Sequence, residues 1–239
     1  MHLSPRLRCI ADMVKGVRVL ADIGSDHAYL PIALLQEKKI QRAIITDVAK
    51  GPVQSAKQHI EQSGLSELCS VRMGDGLSPL KPGEASCLVI AGMGGLLIAD
   101  ILQRGAEVAK SAETLILQPM QHAVRLREFL NTNYYKIVEE RVVYDAGKYY
   151  EVIKVINGEQ RRFNKIELEI GYAMIKNEVY FDFLNQKSEK VKQIIAFRKS
   201  SRTEQNVEEY EEVLDGIRKE LLEKKDVRSG GTGQSGQKI

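Results

Sequence analysis

The residues best able to do chemistry begin in Val19-Leu20-Ala21-Asp22-Ile23-Gly24-Ser25-Asp26-His27-Ala28, a strand-like run, a glycine turn and the start of a helix. A nucleotide-type ligand belongs at such a turn, outside the carboxyl ends of the strands. A dinucleotide turn needs G-x-G-x-x-G so that backbone can approach a pyrophosphate. Counted from Gly24, the second and third glycines are replaced by Asp26 and Tyr29. A carboxylate and a phenol ring there would repel and obstruct a pyrophosphate. The G-x-x-x-x-G-K-[ST] loop of nucleoside triphosphate sites is also absent. A cationic nucleoside without phosphates fits better. S-adenosylmethionine carries a sulfonium and an ammonium, and carboxylates at Asp22 and Asp26 would attract both.

Further acids recur at the ends of the next strand-like runs. Asp47 stands where a carboxylate could grip a ribose diol in two-pronged fashion, and Asp75, in Met73-Gly74-Asp75-Gly76, where an adenine needs a hydrogen-bonding group. Asp75 could equally serve as a helix N-cap. A second glycine cluster, Ile90-Ala91-Gly92-Met93-Gly94-Gly95, lets backbone approach a bound group and offers carbonyls to an amine. The bland reading is a tight strand-to-helix turn. The cofactor set read here is thus Asp22, Gly24, Ser25, His27, Asp47, Asp75, Gly76, Ala91, Gly92 and Met93. Gln118, ending the fifth run, could meet a base edge or only its own backbone neighbours. Adjacent residues of a tight turn point apart, so Ser25-Asp26-His27 is no Ser–His–Asp relay by itself. The four histidines show no i,i+4 pairing with an acid partner, and no metal site is proposed.

These groups need a scaffold, and residues 1–157 supply the pattern of one. Strands are predicted at Val17–Asp22, Arg42–Asp47, Leu68–Met73, Cys87–Ala91 and Thr114–Leu117. Helices alternate with them at Ala28–Glu37, Pro52–Gln62, Leu96–Arg104 and Ala123–Asn131. That alternation implies βαβ units and a parallel sheet. Tyr135–Tyr144 and Tyr149–Ile156, separated by Asp145-Ala146-Gly147-Lys148, read as a hairpin. The expectation is an α/β, Rossmann-like sheet of five parallel-type strands with a C-terminal antiparallel hairpin at its edge.

Beyond residue 157 charge becomes denser and the period changes. Tyr180, Leu184, Lys187, Val191, Ile194 and Arg198 form one heptad-like seam, and Val207, Tyr210, Leu214, Ile217 and Leu221 a second. An antiparallel α-helical coiled-coil hairpin is expected over 158–228, joined by a polar segment at Ser200–Asn206 and followed by a flexible tail at 229–239. The whole chain has 239 residues, 35 Lys+Arg against 32 Asp+Glu, and a net charge of +3. No apolar run approaches the roughly 18 residues of a membrane span, and no signal-like segment opens the chain. Three scattered cysteines argue for a reducing, cytoplasmic setting. No membrane and no obligate protein partner is expected.

Several strings together resemble the bacterial tRNA (adenine-22 N1)-methyltransferases, class I enzymes with a C-terminal helical domain. They are Leu3-Ser4-Pro5-Arg6-Leu7, Ala21-Asp22-Ile23-Gly24-Ser25-Asp26-His27-Ala28-Tyr29-Leu30-Pro31, Lys50-Gly51-Pro52-Val53-Gln54-Ser55-Ala56, Gly74-Asp75-Gly76-Leu77, Ile90-Ala91-Gly92-Met93-Gly94-Gly95-Leu96, Leu115-Ile116-Leu117-Gln118-Pro119 and Gly147-Lys148-Tyr149-Tyr150-Glu151. Two departures stand out: the position of Asp47 more often carries Glu, and Met120 follows where the family usually has Asn. The resemblance implies N1-methylation of an adenine in the tRNA D-arm. Asp26 then becomes the leading catalytic candidate, as acceptor for N6-H₂ or for a proton, with Tyr29 stacking on the base or donating to it. The bland alternatives are a helix cap for Asp26 and a core position for Tyr29. Phosphate contacts would fall to Arg6, Arg8, Lys15, Arg18, Arg125, Arg127 and Lys148, and a base contact to Gln118. A small-molecule methyltransferase with a helical lid, and a non-catalytic RNA-binding module, remain as alternatives.

Overall fold

The structure, a computed structural model, describes residues 2–200 and 207–229, with side chains as far as 223. Its elements run α1 (Pro5–Met13), β1 (Val19–Ile23), α2 (Tyr29–Gln36), β2 (Arg42–Asp47), α3 (Lys50–Gln62), β3 (Cys69–Met73), β4 (Cys87–Met93), α4 (Gly95–Arg104), α5 (Ala106–Ser111), β5 (Thr114–Pro119), α6 (Ala123–Thr132), β6 (Tyr135–Asp145), β7 (Lys148–Asn157), α7 (Lys165–Ile170), α8 (Glu178–Ser200) and α9 (Val207–Ser229). The polar connector and the 229–239 tail of the sequence reading lie almost wholly outside the described residues.

Apolar, β-branched strands make one seven-stranded sheet in the order β3-β2-β1-β4-β5-β7-β6. The first five strands are mutually parallel. Such strands must be covered on both faces. Leu20, Ile45, Val89 and Ile116 join residues of α1, α2 and α3 in one core. The alternate residues Ala21, Leu88, Leu115 and Leu117 are also buried, and α4 and α6 pack on that side.

One detail departs from the sequence reading. The reversed strand is β7, and it lies inside the sheet between β5 and β6, so the edge strand β6 runs in the direction of β5. An edge position for both hairpin strands in sequence order would leave the apolar β7 residues Val152, Ile153 and Val155 half covered; all three are fully buried. The hairpin turn is shorter than expected. Ala146 and Gly147, both at positive φ, form a two-residue connection with Asp145 paired to Lys148, and this handedness matches strand twist.

The chain divides into two compact units after Arg162, rather than at 157. Residues 158–162 stay with the first unit because the Gln160 side chain accepts from Ile137 N–H at 3.0 Å and donates to Tyr135 O at 2.8 Å. In the second unit, Lys199 pairs with Glu211 and Lys176 with Glu220, which sets α8 and α9 antiparallel. The buried set on α8 is Tyr180, Phe181, Leu184, Ser188, Val191 and Ile195. A straight helix drifts from a strict seven-residue repeat, so Ser188 and Ile195 replace the expected Lys187 and Ile194. Lys187 instead pairs with Glu169 at 2.7 Å. Ile166 of α7 packs against Gly216 of α9, where a Cβ would meet its methyl at 2.6 Å.

Candidate active site

The strand order reverses between β1 and β4, and ligands of open α/β sheets bind at the carboxyl ends beside that switch point. A cleft of about 370 Å³ opens there, with Asp22, Gly24, Ser25, Asp26, His27 and Gly92 on its walls. Asp22, the last residue but one of β1, is nearly fully buried. Burial pushes its carboxyl up to about 6, against a hydrogen bond from Ser25 that lowers it. No cation of the protein pairs with it among the described residues. Gly24 follows at φ 72°; its N–H and that of Ser25 donate to Thr46 O at 2.7 and 3.1 Å. A Cβ on Gly24 would lie 2.1 Å from Met93 Cε, so the two glycine turns pack against each other.

The Asp26–His27 corner is built differently from both bland readings. Helix α2 has Ala28 at its N-cap, at φ 55° and with no side-chain cap, so Asp26 caps nothing. Its carboxylate is 65% exposed and lies 3.1 Å from His27 Nε2. His27 Nδ1 meets Ser55 Oγ at 2.7 Å. Ser55, not Ser25, is thus the hydroxyl beside His27. Tyr29 is 40% exposed rather than core. Its ring stacks on His27 at 5.1 Å and on His59 at 5.3 Å. Ser55, part of the family-like string at the start of α3, and His59, one helical turn on, had no site role from the sequence, because only the packing of α3 brings them to this corner.

The second glycine turn is a β-bulge. The register of β4 on β5 slips between Ala91 and Met93, leaving Gly92 at φ 77°; bulges next to active sites re-aim the chain in this way. Gly95 has to be glycine for another reason, since a Cβ there would lie 2.4 Å from His122 O. Ala91 and Gly92 line the same cleft as Asp22.

The remaining cofactor candidates sit farther along the strand ends. Asp47 Oδ1 accepts from Ala49 N–H at 2.8 Å, which leaves its other oxygen without a protein partner among the described residues. Asp75 and Gly76 face a separate hollow of about 270 Å³ floored by Leu77, Leu80 and Ile101. Arg104 grips the Asp75 carboxylate at 2.6 Å and holds it below the usual carboxylate range. That partner was not foreseen.

The expected RNA contacts divide sharply. Lys148, at the hairpin turn, and Arg125, at the start of α6, are exposed at the cleft end of the sheet; Arg125 also pairs with Glu128. Lys15 and Arg18 are exposed just before β1, at the opposite end of the sheet, roughly 16 Å along a five-residue strand. Arg8 is held two-pronged by Glu37 at 2.7 and 3.0 Å. Arg127 is no rim residue at all. It is fully buried, with Nε 2.6 Å from Glu140 and Nη2 on Glu151, because a buried guanidinium on α6 is tolerable only with such partners. Gln118 is also fully buried, its Oε1 taken by Arg6 and by Gly92 N–H and its Nε2 by Pro119 O, so no base edge can reach it. Arg6 lines the cleft itself. Among the described residues there is no cluster of three His, Cys, Asp or Glu side chains able to hold a metal, and no helix long and apolar enough to cross a membrane.

A doubly wound sheet here carries at its switch point two tight glycine turns and a buried acid with no paired cation among the described residues, and the match of residues 3–153 to the methyltransferase domain family makes its class that of a methyltransferase. Relatives narrow this further. The chain is 40% identical over 230 residues to a Bacillus subtilis tRNA (adenine(22)-N(1))-methyltransferase, covering 93% of this chain and 96% of that one. Among solved structures, the B. subtilis M1A22 tRNA methyltransferase TrmK superposes with a TM-score of 0.81 at 33% identity, over 92% of this chain and 99% of that one. A putative tRNA (m1A22) methyltransferase of Streptococcus pneumoniae, in complex with S-adenosyl-L-methionine, gives 0.81 at 32%, over 92% and 100%. The chain belongs to the tRNA (adenine(22)-N(1))-methyltransferase family.

Proposed function

We infer that this chain transfers a methyl group from S-adenosylmethionine to N1 of adenine 22 in tRNA, in the cytoplasm. The observation that carries the reading is the match to the B. subtilis enzyme across 93% of the chain, both compact units included. The cleft fits the cofactor on its own evidence. Buried Asp22 has no cation partner among the described residues, and Gly24 and Gly92, both at positive φ, bring bare backbone to the cleft wall. Asp22 would take the ammonium, Asp47 the ribose diol through its uncommitted oxygen, and Asp75 the adenine amine while shared with Arg104.

When bound, the cofactor supplies an electrophilic methyl group on a sulfonium. Adenine N1 is unprotonated at neutral pH, so the protein's main task is to align it. N1 lies on the Watson–Crick edge, and the base has to leave its stack to be reached. Tyr29, exposed and backed by His27 and His59, offers the incoming base a ring face. Asp26 offers a carboxylate to the exocyclic amine as positive charge grows on the ring. Arg125 and Lys148 supply phosphate contacts at the same end of the sheet. The C-terminal helices would meet tRNA mainly by shape, since their basic and acidic residues are nearly balanced.

Incubation with methyl-labelled cofactor and bulk tRNA, followed by digestion to nucleosides, tests the reading. Label recovered in 1-methyladenosine supports it; label in any other nucleoside, or none in RNA, overturns it.

A further inference from the structure

The hairpin between β6 and β7 carries an aromatic pair at its tip. Tyr144 and Tyr149 are direct cross-strand partners, with ring centroids 4.9 Å apart and planes tilted by 54°. Tyr144 is nevertheless 51% exposed. Side chains alternate along a strand, so both rings share the face on which Glu140 and Glu151 meet Arg127 of α6. The helix stops short of them. It begins at Ala123, about 6 Å before Arg127, whereas β6 runs on roughly 13 Å from Glu140 to Tyr144. Asp145, on the other face of the hairpin, accepts from Arg6 N–H at 3.1 Å, and Arg6 lines the cleft. The tip therefore stands at the cleft rim. Lys148, next to Tyr149 in the chain, is exposed there, as is Arg125 in the first turn of α6.

Exposed aromatic rings with cations close by suit unstacked nucleobases, because every base has a π-face to lay on a ring. The target adenine must leave its stack to present N1, and its neighbours then lose a stacking partner. We propose that the Tyr144–Tyr149 pair is a ledge on which a base flanking the target adenine stacks while the adenine occupies the cleft. The proposal rests on the tRNA reading above and adds to it a second base contact outside the cleft. Lys148 serves the phosphate of the same stretch of RNA. A protein partner would cover the same rings, but the cations and the place on the cleft rim favour RNA.

Filter retention of tRNA transcripts provides the test. Tyr144→Leu keeps an apolar strand residue but removes the ring, and should weaken transcript binding about 5- to 100-fold, the range of one base–aromatic stack. Its cofactor Kd should match that of the native protein, and Tyr144→Phe should bind the transcript within about 2-fold of native. A ring releases no counterions, so Tyr144→Leu should keep the native salt dependence, whereas Lys148→Ala should lower the slope by about one. Transcripts with an abasic site on one side or the other of the target adenine measure the coupling. Removing the stacked base should weaken binding to native protein but add nothing to the Tyr144→Leu loss. Additive losses at both abasic positions, or a Tyr144→Leu loss that Phe does not restore, would overturn the ledge. A loss accompanied by a lower salt slope would mean a displaced hairpin and overturns it as well. Native transcript affinity with an altered oligomeric state would assign the rings to a second copy of the chain, again overturning it. Native protein that retains no transcript would instead defeat the tRNA reading itself.

Discussion

Replacing Asp22 by Asn should stabilise the ligand-free protein relative to the native chain by an amount that grows as the pH rises, while abolishing its grip on the cofactor. The Asp22 carboxyl is raised from 3.8 to about 6, chiefly by burial. An acid whose folded pKa is raised keeps its proton in the folded state after the unfolded chain has lost it. Stability therefore falls as pH climbs from about 3.8 to about 6, and the full cost is present above that window. A shift of roughly two units at 1.36 kcal/mol each gives ~3 kcal/mol at most, of which ~2 kcal/mol develops between pH 4 and pH 7. Asparagine does not titrate, and any misfit of its amide is the same at both pH values. Thermal melts of native and Asp22→Asn protein at pH 4 and pH 7 should thus show the variant gaining ~2 kcal/mol on the native chain across that interval, or about 4–8 °C for a chain of this size. Added S-adenosylmethionine should raise the melting temperature of the native protein only. Native cofactor affinity should also weaken progressively below pH 6, as Asp22 takes up a proton. A gap between the two proteins that does not widen with pH, or a variant that binds the cofactor as tightly as native, would refute the reasoning.

Other perturbations separate catalysis, packing and RNA contact. Asp26→Asn should lower kcat by about 10- to 100-fold in a tRNA methylation assay with the cofactor Kd unchanged, since its exposed carboxylate acts on developing charge; full activity would remove Asp26 from the chemistry. Arg127→Met leaves Glu140 and Glu151 without their cation, and denaturant titration should register a loss of about 3–5 kcal/mol. Gly95→Ala forces a Cβ against backbone that cannot step aside, and the same titration should show about 1–3 kcal/mol lost. Binding of tRNA, read by filter retention, should weaken about 10-fold between 50 and 200 mM salt if Arg125 and Lys148 neutralise about two phosphates. Salt-insensitive binding would argue against the basic rim.

The first five strands and their helices were legible because each is a short β-branched run followed by apolar residues three and four apart, and both patterns are local. Asp22, Gly24 and Gly92 were legible for the same reason, standing at fixed offsets from strand ends. What stayed hidden depends on distant partners. Arg127 looks like a solvated charge until β6 and β7 bring Glu140 and Glu151 under α6. Arg6 and Gln118 lie 112 residues apart and meet only because α1 packs against the hairpin strands. The interior place of β7 was invisible because nothing local records which neighbour a hairpin strand chooses. On α8, a strict seven-residue count fell short of the true helical repeat, so Ser188 and Ile195 took the buried positions. Basic residues near the amino end, Lys15 and Arg18, were grouped with Arg6 by sequence proximity, although α1 carries them to the far end of the sheet.

The central claim is methylation at N1 of adenine 22, and primer extension on a tRNA transcript treated with the protein and S-adenosylmethionine tests it most directly. N1-methylation blocks the Watson–Crick edge, so reverse transcriptase should halt immediately before position 22 on the treated transcript, and a transcript with guanine at that position should show no new stop. A stop at a different adenine, or an unchanged stop on the guanine-22 transcript, would contradict the account.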